Sequence, residues 1–115
     1  MSQDLEAMSA ALRAFNEARD WGQFHAPRNL AMALNVEASE LLELFLWCAD
    51  SGPQPALPER RARLDDEAAD VLICLLNLCN RAGVDLEAAF WRKLEKNEAK
   101  YPVERAKGSM RKHDE

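Results

Sequence analysis

Glu37-Ala38-Ser39-Glu40 and Glu67-Ala68-Ala69-Asp70 are the two stretches that decide how this chain folds. Each is an acid pair at i,i+3, set in a run whose apolar spacing is that of a core-facing helix. At about 100° per residue, Glu37 falls in the middle of the stripe formed by Leu30, Leu34, Leu41, Leu44 and Cys48, and Glu40 lies at its edge beside Ala33 and Trp47. In the second run Glu67 neighbours Val71, Leu75 and Leu78, while Asp70 sits one step further round beside Cys74. Burying an unpaired carboxylate is costly or forces it to take a proton. Four of them converging from two helices in hairpin-like order therefore point to a bound cation, and oxygen-only donors favour Mg²⁺ or Mn²⁺ over zinc. Buried ion pairs with cations such as Arg28 or Lys93 would also account for them. Spacing alone leaves both open. A single acid pair means little, since Glu17 with Asp20, Glu40 with Glu43 and Glu95 with Glu98 repeat the spacing in a chain that is 30% charged. A di-iron bundle needs Glu-x-x-His, and the positions three before His25 and His113 are Gly22 and Met110.

Working outward, residues 4 to 19 are predicted to form an amphipathic helix, with Asp4 as N-cap and Leu5, Met8, Leu12 and Phe15 on its apolar face; Glu6, Arg13 and Glu17 fall on the wet side. The second helix is predicted from Pro27 or Arg28 to Asp50, apolar over a wide arc that includes Leu42 and Leu46, as expected of a helix covered by its own domain and by another subunit. Ser51 to Pro58, with three prolines, breaks the pattern. A third helix runs from Pro58 or Glu59 to about Ala82, again with a wide apolar arc, and Gly83 suits a left-handed C′ position. Asp85 caps a fourth, with Leu86, Ala89, Phe90 and Leu94 on one face, which fades by Lys100 and ends at Pro102. Residues 103–115 read as a basic, extended or partly disordered arm.

The chain of 115 residues reads as one all-α domain, 1–115. Ala, Leu, Glu and Arg dominate, a helical composition. No apolar run approaches the roughly 20 residues of a membrane span, and Met1-Ser2-Gln3-Asp4 carries no signal region, so a cytoplasmic location is expected. Cys48, Cys74 and Cys79 are an odd number without Cys-x-x-Cys and read as small core residues. The net charge of −5 hides an asymmetry: residues 1–91 hold seven basic and fifteen acidic side chains, residues 92–115 eight and five. An acidic body with a basic tail argues against a nucleic-acid polymer as ligand and suits a small polyanion that arrives with its metal ion.

Between the first two helices, Asp20-Trp21-Gly22-Gln23-Phe24-His25-Ala26-Pro27-Arg28-Asn29 crowds two aromatics and a histidine into a loop. Either Trp21 and Phe24 staple the entrance to the next helix, or the loop binds a ligand; the pattern does not choose. Trp47, one helical turn after Glu40 and Glu43, can stack a planar base, whereas Trp91 reads as core or interface packing. Lys93, Asn97 and Lys100, followed by Tyr101-Pro102, sit at helical spacing suited to phosphate oxygens, although spacing alone favours a solvated basic face.

Taken together, Glu37-x-x-Glu40, Glu67-x-x-Asp70 and Lys93-x-x-x-Asn97-x-x-Lys100-Tyr101-Pro102 resemble the MazG-like, all-α nucleoside triphosphate pyrophosphohydrolases. Arg19-Asp20-Trp21-Gly22-Gln23-Phe24-His25-Ala26-Pro27-Arg28-Asn29-Leu30, the run Glu40 to Trp47 and the ending Gly108-Ser109-Met110-Arg111-Lys112 are similar to the dCTP pyrophosphatase branch, and the likeness runs from about Phe15 to Lys112. The resemblance implies a four-helix MazG-like bundle that associates as a homo-oligomer, dimer or tetramer, through helices two and three. It implies Mg²⁺-dependent hydrolysis (Mn²⁺ as substitute) between the α and β phosphates of dCTP or modified dCTP, releasing monophosphate and pyrophosphate, in nucleotide-pool house-cleaning. Glu37, Glu40, Glu67 and Asp70 would be metal ligands, with Glu40 or Glu67 acting on the attacking water. Trp21, His25, Asn29 and Trp47 would line the base pocket. Lys93, Asn97, Lys100 and Tyr101, with Arg111 and Lys112 of a neighbouring tail, would meet phosphate and sugar. Close relatives tend to carry Tyr where this chain has Cys74, so another nucleotide such as dUTP stays open, as does a non-catalytic nucleotide-binding helical interaction protein.

Overall fold

The computed structural model describes residues 2–46 and 58–109, with side chains over 4–46 and 60–109. Trp47, Cys48, Arg111 and Lys112 lie outside the described residues. All regular structure among the described residues is helical: α1 (Ser2–Ala18), a 3₁₀ turn (Trp21–Phe24), α2 (Pro27–Glu43), α3 (Pro58–Ala82), α4 (Leu86–Lys100) and the single turn α5 (Val103–Ala106). They fall into two units that divide after Gly83.

In the first unit α2 packs along α3, and α1 lies on α3 with a smaller contact. The α2 stripe is the predicted one: Leu30 and Leu44 are buried, and Leu34, Glu37 and Leu41 between them are half-buried. The helix stops earlier than predicted, at Glu43 rather than Asp50. Leu44, Phe45 and Leu46 donate to the carbonyls of Leu41, Leu42 and Glu43, an i→i−3 pattern that winds the last turn too tightly to continue an α-helix. The α3 bounds are those predicted, and Gly83 takes φ +73°, the left-handed conformation that glycine adopts without Cβ strain. Leu76, 2% exposed, and Cys79 are buried on α3, and the Cys74 and Cys79 thiols are free.

The α1 face differs from the predicted one. Leu5, Ser9, Leu12 and Asn16 are half-buried, whereas Met8 and Phe15 are exposed. The helix is turned toward α3 by polar bonds: Arg13 Nη1 donates to Asn80 Oδ1 (3.0 Å), Asn16 Nδ2 to Asn77 Oδ1 (3.0 Å) and Asn80 Nδ2 to the Ser9 carbonyl (3.3 Å). Arg13, expected simply on the wet side, is thus a cross-helix partner, and Asp4 lies inside the first turn instead of capping it.

In the second unit Asp85 caps α4 as predicted, its Oδ1 accepting from Ala88 N at 3.1 Å. Pro102 ends that helix and caps α5, so residues 103–106 form a helical turn where an extended arm was expected. Phe90 and Trp91 meet edge to face, centroids 5.0 Å apart.

Candidate metal centre

Because α2 presents Glu37 and Glu40 one turn apart and α3 does the same with Glu67 and Asp70, packing the two helices together gathers the acids. One carboxylate oxygen each from Glu37, Glu67 and Asp70 lies within 4.8 Å of the others. Glu40 is outside this threefold grouping but within side-chain hydrogen-bonding reach of both Glu37 and Glu67. Glu37, Glu40 and Glu67 are half-buried and Asp70 is exposed, so the group is walled on the helix side and open toward Asp70.

Like charges this close resist ionisation. The Glu37 carboxyl is pushed above the ordinary carboxylate range by its contact with Glu40, then by partial burial and by the charges of Glu40, Asp70 and Glu67. Glu67 is raised by partial burial first, then by Glu40 and Asp70, with the Arg63 charge pulling it back. Burial raises the Cys74 thiol, and the charges of Glu37 and Asp70 add to it, so this side chain adjoins the acids. Glu37 Oε2 and Glu67 Oε2 are shut off from solvent and find no hydrogen-bond donor among the described residues. A carboxylate oxygen so placed must share a proton or meet a cation. Three hard oxygen donors from two rigid helices fit a divalent metal ion, and among the described residues no nitrogen or sulfur ligand belongs to the grouping.

The loop before α2 is a 3₁₀ turn entered through Asp20, whose φ of +53° is tolerable for an aspartate. Trp21 is 44% exposed and stands edge-on to Phe15, centroids 5.4 Å apart, and the Arg19 guanidinium lies 3.7 Å over the other ring. Asn29 Nδ2 donates to the Phe24 carbonyl at 3.4 Å, holding the loop to α2. His25 is half-buried and lines a cavity of about 340 Å³ together with residues of α1 and α3. The polar wall of that cavity, Asn16, Asn77 and Asn80, was not singled out by the periodicity of the sequence. Its trace was present all the same, as two asparagines three apart within the apolar second half of α3.

In the second unit Lys93, Asn97 and Lys100 share one face of α4, both lysines exposed and Asn97 half-buried, and Tyr101 N donates to the Asn97 carbonyl (2.8 Å).

Among the described residues all regular structure is helical and a helix pair carries a carboxylate cluster; the MazG-like family model matches residues 32–115, and the chain belongs to that family. Among curated proteins it is similar to dCTP pyrophosphatase 1 of Homo sapiens, 48% identical over 103 residues that cover 88% of this chain and 61% of that one. Against dCTP pyrophosphatase 1 of Rattus norvegicus the identity is 48% over 101 residues, 86% of this chain and 59% of the other. The chain thus spans about three-fifths of the length of these relatives. Among solved structures it is similar to a pyrophosphatase from Archaeoglobus fulgidus DSM 4304, with TM-score 0.79, 42% identity and coverage of 86% of this chain and 93% of that one.

Proposed function

We propose that this chain is a Mg²⁺-dependent nucleoside triphosphate pyrophosphohydrolase that cleaves dCTP or modified dCTP to the monophosphate and pyrophosphate. The observation that carries the reading is the pair of shielded, donorless oxygens, Glu37 Oε2 and Glu67 Oε2, within a three-carboxylate grouping. The names of the relatives supply the nucleotide. Glu37, Glu67 and Asp70 hold the ion, with Glu40 as an adjacent fourth carboxylate. When bound, the ion neutralises triphosphate oxygens and acts as a Lewis acid toward the phosphoryl group. Glu40 touches both Glu37 and Glu67, so Glu40 or Glu67 is placed to orient a water and take its proton. Trp21, His25, Asn29 and Trp47 serve the base; Lys93, Asn97, Lys100 and Tyr101, with Arg111 and Lys112, serve phosphate and sugar.

The single-domain organisation, cytoplasmic location and homo-oligomeric assembly belong to the same reading. Met32, Val36 and Leu42 on α2 and Leu72 and Ile73 on α3 are exposed, as expected where a second copy covers these helices. Among the described residues no helix is long and apolar enough to cross a membrane.

The test is a panel of nucleoside triphosphates with Mg²⁺, comparing kcat/KM for each. A ranking led by dCTP supports the assignment. Turnover led by a purine nucleotide removes the proposed substrate, and no turnover of any removes the enzyme.

A further inference from the structure

The cavity between α1 and α3 lies on the same face of α3 as the acid cluster. Glu67, Asp70, Cys74, Asn77 and Arg81 follow at i, i+3, i+7, i+10 and i+14, within an arc of about 80°, and Asn77 is about 10 Å along the helix from Asp70. Cys74, a half-buried side chain, lies between them on this face. At about 340 Å³ the cavity is at the lower end for small-molecule sites, about 300–1,000 Å³. Its charged lining is balanced, Arg13 and Arg81 against Glu17 and Asp20. A neutral polar heterocycle suits such a wall better than a phosphate does.

The amides define what the wall can read. Asn80 is committed to structure, accepting from Arg13 and donating to the Ser9 carbonyl. Asn16 spends one N–H on Asn77 Oδ1, which leaves Asn16 Oδ1 as an acceptor and Asn77 Nδ2 as a donor, side by side and part-buried.

We propose that this cavity seats the pyrimidine base and that the Asn16–Asn77 amide pair reads its N3–C4 edge. On the pyrophosphohydrolase reading, base selection falls to two residues outside the loop and the acid cluster. Asn16 Oδ1 accepts from the exocyclic amine of cytosine, and Asn77 Nδ2 donates to N3. Turning both amides over swaps donor and acceptor and matches uracil, so the orientation of the pair sets the preference. Asn77→Asp removes that freedom. It keeps the bond from Asn16 and the side-chain shape but leaves only an acceptor at position 77, which opposes cytosine N3 and welcomes uracil N3–H.

The experiment follows deoxycytidine and deoxyuridine binding to the full chain in EDTA, by chemical-shift titration of the asparagine side-chain amides. In parallel it measures dCTP and dUTP turnover with Mg²⁺, for wild type, Asn77→Ala and Asn77→Asp. The expected result is a loss of about tenfold in deoxycytidine affinity for either variant, the size of one good hydrogen bond. The dCTP to dUTP ratio of kcat/KM should move toward dUTP in Asn77→Asp. Unchanged nucleoside affinity and unchanged ratio in a folded, active Asn77→Asp protein overturn the base-reading role and leave the pyrophosphohydrolase standing. Wild type that shifts its Asn16 and Asn77 signals with deoxycytidine but hydrolyses no triphosphate retains the base seat and removes the enzyme. Absence of both removes both.

Discussion

Replacing Glu67 by Gln separates two consequences of the acid cluster, because the side chain keeps its length and loses its charge. In the metal-free protein the Glu67 carboxyl is held above its ordinary range by partial burial and by Glu40 and Asp70. Removing the charge relieves that strain, so the variant in EDTA melts at or above the wild-type temperature. With metal the order reverses. An ion that binds only the folded chain adds about 2.7 kcal/mol at a hundredfold excess over its dissociation constant. At about 4 °C per kcal/mol for a chain of this size, wild type gains roughly 10 °C. Loss of one of the three clustered oxygens costs at least the roughly tenfold to hundredfold in affinity typical of an outer-shell partner. The same excess of Mg²⁺ then lifts the variant by about 6 °C or less. Differential scanning calorimetry with EDTA and with Mg²⁺ reads both quantities. A variant that melts well below wild type in EDTA, yet gains the full increment with Mg²⁺, would make Glu67 a structural partner and refute the reasoning.

Three further outcomes are expected. Since the Glu37 carboxyl titrates above its ordinary value of 4.5, the folded chain binds more protons than the unfolded one between that value and the raised one. Metal-free stability therefore falls as pH rises through this window; urea melts in EDTA from about pH 5 to about pH 8 should show a steeper fall for wild type than for Glu37→Gln, and a rise specific to wild type would contradict the sign. Leu76→Ala, at a position 2% exposed, should cost about 2–5 kcal/mol of unfolding free energy in urea titrations; less than about 1 kcal/mol would mean that the site collapses around the deletion. Asp85→Ala should cost about 1 kcal/mol and speed hydrogen exchange at Ala88 N, the donor to the cap, with exchange unchanged if the cap is not formed in solution.

Much of this was legible in the sequence where one periodicity governs. Glu37 among Leu30, Leu34, Leu41 and Leu44 announced a carboxylate inside an apolar stripe, and that stripe is half-buried or buried throughout. The bounds of α3, the glycine after it and the Asp85 cap follow from local backbone chemistry and appear as read. The end of α2 was not legible, because Leu44, Phe45 and Leu46 continue the apolar pattern while their backbone tightens to i→i−3 bonds. The seating of α1 was hidden for a different reason. Apolar counting chose Met8 and Phe15, but amide and guanidinium bonds from Arg13 and Asn16 to Asn77 and Asn80 fix the contact instead. Glu40, read as lying at the edge of its stripe, does stand outside the closest grouping, yet it touches Glu37 and Glu67.

The central claim is that the carboxylates of α2 and α3 bind a divalent ion and so cut a nucleoside triphosphate between its α and β phosphates. It is tested most directly by incubating the full chain with dCTP, in Mg²⁺ or in EDTA, and resolving the products by anion exchange. The account predicts dCMP and pyrophosphate in equal amounts with Mg²⁺ and neither in EDTA. Release of dCDP and orthophosphate, or the same products at the same rate in EDTA, would contradict it.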